Sequence, residues 1–97
     1  MDGYDIIKSL VLNHPDKDKI LRVLNLCDDP DIPVVTQHAI SKRSRISAPI
    51  LSEILYFLSG IGMLSTEKVG RASVYIVTQA FGGRLLDELK GSAKQNA

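Results

Sequence analysis

Residues 36–64 read TQHAISKRSRISAPILSEILYFLSGIGML, and two helices joined by a tight polar turn account for nearly every letter. Thr36 is a helix-capping residue type, because its hydroxyl accepts from an amide two or three residues on. A short helix then runs through Ala39, Ile40 and Lys42. The stretch Lys42, Arg43, Ser44, Arg45 is polar throughout and contains the turn. Ser47 is the next cap, and it should satisfy free amides at the start of a second helix. Pro49 falls in the first turn of that helix, where its missing N–H costs little. Ile50, Leu51, Ile54, Leu55 and Leu58 recur at helical spacing and give the helix a buried stripe. Gly60 and Gly62 stop it. Ile40, Ile46, Leu51, Leu55 and Leu58 are the residues expected where helices meet, each contributing about 1.5–3 kcal/mol on burial. The face opposite the leucines carries Ser47, Ala48, Pro49, Ser52, Glu53 and Tyr56.

Downstream, Met63 to Glu67 and Ser73 to Val77 are β-rich runs around Val69-Gly70-Arg71-Ala72, which reads as a hairpin. Thr78 then caps a final helix through Phe81, Leu85, Leu86 and Leu89, and residues 91–97 form a frayed polar tail. Upstream, Tyr4 to Asn13 spaces Ile6, Ile7, Leu10 and Val11 as a helix. The run Asn13-His14-Pro15-Asp16 breaks it and starts another, with Pro15 in the first turn and Asp16 and Asp18 at the positive end of the helix dipole. Ile20, Leu21, Val23, Leu24 and Cys27 form its stripe. Asp28, Asp29, Pro30 and Asp31 make an acidic loop, and Ile32 to Val35 is a short extended piece whose Pro33 argues for an edge. The order is helix, helix, short strand, helix, turn, helix, hairpin, helix. That is a mainly α protein with a small β-hairpin (α+β): a three-helix core plus a hairpin wing, with extra N- and C-terminal helices. One domain covers residues 1–90, divided into a first helix (1–14), a central unit (15–77) and a last helix (78–90).

With these elements in place, residues 36–64 resemble the winged helix-turn-helix of MarR-type and PadR-type transcriptional regulators. The resemblance lies in the capping Thr36 followed by Ile40, in Ile46 before the capping Ser47, and in Ser52 with Leu55 and Leu58. It continues in Gly62, Met63 and Leu64 opening the wing, and in Val77-Thr78 with Gly82 or Gly83 starting the next helix. The likeness spans residues 32–89. It implies double-stranded DNA as the partner, with the helix over about 47–60 in the major groove and the wing over about 64–77 on the backbone or minor groove. It implies homodimerisation through the terminal helices, by Ile6, Ile7, Leu10 and Val11 or by Phe81, Leu85, Leu86 and Leu89. The same apolar residues have a simpler use in completing the core of a single small chain.

Charge distribution accords with this. The net charge is only +1, yet residues 1–35 hold four basic against seven acidic side chains, while residues 36–76 hold five basic against two acidic. The five are Lys42, Arg43, Arg45, Lys68 and Arg71, placed to meet phosphates from the turn and the wing. The second helix carries no Arg or Lys, so direct readout falls to Ser47, Ala48, Pro49, Ser52, Glu53 and Tyr56, with Thr36 beside them. Glu53 has the wrong sign for a phosphate but suits cytosine N4, and Pro49 and Ala48 suit a thymine methyl. A competing use of the same fold is a protein-interaction module that leaves DNA alone. A ligand-responsive repressor is a third reading, and no sensing motif supports an effector.

Other functions find no footing. His14, His38 and Cys27 have no short-spaced ligand partner, and Asp28, Asp29 and Asp31 lack the glycine turn and later Glu of a calcium loop, so no metal or cofactor is expected. No Gly-rich phosphate loop or nucleophile elbow is present, which argues against an enzyme. Apolar residues are 44% of the chain, but no run approaches the roughly 20 that a membrane span needs. The acidic N-terminus is unlike a signal peptide, and the lone Cys27 suits a reducing cytoplasm.

Overall fold

The apolar periods become helices in the computed structural model, which describes residues 3–31 and 35–95, with residues 92–95 as backbone alone. Helix α1 spans Gly3–Leu12, α2 Lys17–Cys27, α3 Gln37–Ser44 and α4 Ala48–Gly60. Strands β1 (Leu64–Val69) and β2 (Ala72–Val77) follow, and a π-helical turn over Gln79–Gly83 leads into α5, Arg84–Gln95. The class is as expected: mostly helical, with one two-stranded antiparallel hairpin among the described residues.

One core unites these elements. Ile20, Val23 and Leu24 of α2, Ile40 of α3, Ile46 of the turn, and Leu51, Ile54, Leu55 and Leu58 of α4 are all buried in it. An isolated helix as short as α3 would be marginal in water, so this shared burial is what holds it. Ile50 departs from expectation and is 36% exposed. Each residue advances about 100° around a helix, so Ile50 sits beside Leu51 but off the buried face.

The helix ends show where cap chemistry succeeds. Thr36 Oγ1 accepts from the Ala39 amide at 3.2 Å, as its position predicts. α3 runs through Lys42 as expected and continues over Arg43 and Ser44, which belong to the helix rather than to the turn. The turn starts at Arg45, whose φ of +62° is left-handed and whose N–H donates to the Ser41 carbonyl at 3.0 Å. Ser47 stands at the N-cap of α4, but its hydroxyl makes no capping hydrogen bond, contrary to expectation. A cap side chain serves the second or third helical amide, and Pro49, second in α4, has none. Gly62 closes α4 at φ +84°, with Gly62 N–H to Ser59 O at 3.3 Å and Met63 N–H to Leu58 O at 3.0 Å. These two bonds are the Schellman pattern, which favours glycine at that position.

In the hairpin, Leu64 faces Val77 and Val69 faces Ala72, so both strands reach further toward the tip than the expected 63–67 and 73–77. The tip needs only Gly70 and Arg71, with Gly70 at φ +65° as a two-residue turn requires. Val35 O accepts from Tyr75 N–H at 2.9 Å, and Thr36 bridges Val74. Ile32, Pro33 and Val34, the start of the expected extended piece, lie outside the described residues.

At the two ends the chain closes on itself. Pro15 precedes the Asp16 cap instead of entering α2, and Asp16 N–H donates to His14 Nδ1 at 3.0 Å. Thr78 does more than cap: its hydroxyl donates to the Gly62 carbonyl at 2.6 Å and accepts from Gly82 N–H at 3.3 Å. Gly83 N–H reaches back five residues to Thr78 O at 2.7 Å, which defines the π-turn. α5 is helical through Gln95, so most of the expected tail over 91–97 is helix, and residues 96–97 lie outside the described part. Lys8 Nζ meets Glu88 Oε2 at 2.7 Å, and the Arg84 guanidinium lies 3.9 Å from the centre of the Tyr4 ring, joining α1 to α5. Tyr4, Val11, Leu85 and Leu86 enter the common core, with Ile7, Phe81 and Leu89 packed on it. Of the apolar residues expected to pair two chains, Ile6 and Leu10 are left facing outward, at 51% and 48% exposure.

Candidate nucleic-acid interface

The outward face of α4 is polar and open: Ser47, Ala48, Pro49, Ser52, Glu53 and Tyr56 are all exposed, Tyr56 at 85%. Beside it, a groove of about 330 Å³ runs between the start of α3, α4 and the hairpin. Gln37, Ser52, Tyr56, Ser59, Thr66 and Tyr75 line it above the buried Leu55. Gln37 Nε2 donates to Ser52 Oγ at 2.6 Å and so ties the first residue of α3 to the exposed face of α4. Thr36 is half-buried, its hydroxyl engaged with Ala39. Glu53 falls elsewhere, in a small hollow with His14, Asp16 and Phe57, where the His14 and Phe57 rings pack 4.8 Å apart. Ser52 and Tyr56 are one helical turn apart and share a face, whereas Glu53 is rotated away from them.

Lys42 and Arg43 are exposed in the last turn of α3, and Arg45 is exposed in the turn that leads directly into α4. The backbone under them is held firmly. Arg22 Nη1 of α2 donates to Ser44 O at 3.1 Å, Ser41 Oγ donates to Ile46 O at 3.1 Å, and Ser44 Oγ accepts from Ile46 N–H at 3.2 Å. Across the groove, Thr66 and Lys68 alternate onto the same face of β1, and Arg71 sits at the tip. Lys42, Arg43, Arg45, Lys68 and Arg71 make no ion pair among the described residues, while Lys8, Arg84 and Lys90 lie near Glu88 or Asp28. Sequence reasoning missed Gln37, Ser59, Thr66 and Tyr75. Only Gln37 carried a signal, being the polar residue directly after the Thr36 cap.

No family model matches the sequence, and no curated protein matches it. Solved structures do. The homodimeric winged helix-turn-helix DNA-binding domain of a possible ArsR-family transcriptional regulator from Mycobacterium bovis superposes at a TM-score of 0.77 with 16% identity, over 96% of this chain and 81% of that one. A mutant of TubR, a type III plasmid segregation protein, gives 0.74 with 16% identity over 97% and 95% of the two chains. HlyU from Vibrio cholerae gives 0.62 with 20% identity over 89% and 90%. The fold is a winged helix-turn-helix. In its terms α3 and α4 are the helix-turn-helix, α4 is the second helix of that pair, and β1–β2 is the wing.

The rest of the winged helix offers little reactive chemistry. Among the described residues no group of three His, Cys, Asp or Glu is placed to hold a metal ion, and no helix is long and apolar enough to cross a membrane. The Cys27 thiol is buried, and burial together with the neighbouring Asp28 carboxylate pushes it up to about 12. A thiol held protonated in this way is a poor nucleophile and a poor metal ligand.

Proposed function

We propose that this winged helix binds double-stranded DNA sequence-specifically and acts as a transcriptional regulator rather than an enzyme. α4 enters the major groove through Ser47, Ala48, Pro49 and Ser52, with Tyr56 on its flank, and the wing lies on the backbone or minor groove through Lys68 and Arg71. One observation carries the reading: three exposed cations without carboxylate partners among the described residues, Lys42, Arg43 and Arg45, lead straight into the open N-terminal half of α4. Affinity then comes from the flanks of the helix, because α4 itself has no positive charge. The regulator pairs as a homodimer, as the Mycobacterium bovis neighbour is described to be, here through the outward face of α1, and works in the cytoplasm. Residues 36–64 carry the likeness to MarR and PadR types, and no effector enters the proposal.

The test is retention of duplex DNA as salt rises. Binding is expected at low salt and should fall steeply with added salt, and neutralising Lys42, Arg43 or Arg45 should lower the salt slope by about 1 each. The very exposed Tyr56 and the acidic Glu53 favour the second reading, a protein-interaction module. No retention at low salt would transfer the face to that role.

A further inference from the structure

We propose that Gln37 and Ser52 form a base-reading pair that selects adenine at one position of the major groove. This rests on the DNA-binding reading and adds a specificity residue to it. Gln37 Nε2 spends one hydrogen on Ser52 Oγ at 2.6 Å. The amide keeps a second N–H donor and its Oε1 acceptor. Adenine shows the complementary pair in the major groove, an N7 acceptor beside an N6 donor, and glutamine meets both at once. Guanine shows two acceptors there, so Oε1 would face O6, and each pyrimidine can satisfy one atom at most.

The surroundings favour a base over a phosphate. Gln37 and Ser52 share their groove with Tyr56, Ser59, Thr66 and Tyr75, and no charged side chain lines it. The cations of α3 and of the turn after it lie at the opposite end of α3 from Gln37. The bond is also dispensable for folding. Ser52 is exposed, Thr36 already caps α3, and Ile40, Leu51 and Leu55 hold α3 against α4. What the bond does supply is a fixed amide, oriented by a neighbouring helix before DNA arrives, and preorganisation of this kind sharpens selectivity.

Selection of bound sequences from a random duplex pool tests the pair, using the full chain and variants whose thermal unfolding matches wild type. Wild type should enrich adenine at one position of each half-site. Gln37→Ala should lose that preference by about 5- to 150-fold, with the other positions unchanged. Ser52→Ala should weaken the same position less, and Gln37→Glu should move it toward cytosine, whose N4 donates to a carboxylate. An unchanged motif in Gln37→Ala, or an affinity loss equal across all sequences, overturns the base-reading role and leaves DNA binding standing. Failure of wild type to retain any duplex removes both.

Discussion

Arg45 occupies a backbone conformation that suits glycine, and it is the non-glycine residue with positive φ among those described. A Cβ in the left-handed region costs about 1–2 kcal/mol, although glycine at the end of a helix loses more chain entropy on folding. The Arg45 side chain is exposed and meets no carboxylate among the described residues, so no ion pair of that side chain offsets the strain there. A phosphate would. Arg45→Gly is therefore expected to leave stability unchanged or raise it by up to about 1 kcal/mol, while weakening DNA retention and lowering the salt slope by about 1. Denaturant unfolding and salt-dependent retention measure the two effects on one variant. A glycine that destabilises clearly, or that binds DNA like wild type, would remove the trade between strain and binding.

At the scale of elements, α1 and α5 are joined by groups whose titration is displaced. Burial, and then the hydrogen bond and charge of Glu88, push the Tyr4 hydroxyl up to about 12 from 10.0. The Lys8 hydrogen bond, followed by that of Tyr4, holds Glu88 below its usual value. Because the folded chain keeps the Tyr4 proton more tightly, its contribution is complete below pH 10 and is lost as pH rises toward about 12. Urea unfolding across that window should show a shallower decline in Tyr4→Phe, by up to about one proton, and an identical slope would show that Tyr4 titrates alike in both states. This clamp was not legible in the sequence, since it joins residues some 80 positions apart. What was legible is local. Thr36 and Thr78 announced their caps, the leucines of α4 announced its buried face, and the Gly70 turn announced the hairpin. The π-turn was hidden because its surroundings are distant in sequence: a Cβ on Gly82 would collide with the Met63 carbonyl and lie 2.8 Å from Val77 Cγ1. The groove was half legible for the same reason. Ser52 and Tyr56 follow from helical period, but Thr66 and Tyr75 reach them only once the wing folds back.

For the whole molecule, the question is what covers α1. Helical period marked Ile6, Ile7, Leu10 and Val11 as apolar, but not which side would find a partner inside the chain. Val11 is buried and Ile7 is packed on the core, while Ile6 and Leu10, one turn apart, face outward together. Single exposed apolar residues are ordinary on a surface. Two stacked on one helix face suit the two-fold contact proposed for the regulator, in which the same patch serves both chains. Such a pair of chains would present two copies of α4 to half-sites about 10 base pairs apart. The double variant Ile6→Glu, Leu10→Glu tests this, because changes at exposed positions should alter the stability of one chain by no more than about 0.5 kcal/mol. Wild type is expected to sediment as two chains and the variant as one. The variant should lose most of its affinity for a palindromic duplex and keep its affinity for a single half-site, since each chain still carries an intact helix-turn-helix. If wild type sediments as one chain, or the variant stays paired, α1 is not the interface, and the two α4 helices must be brought to DNA by another surface or act singly.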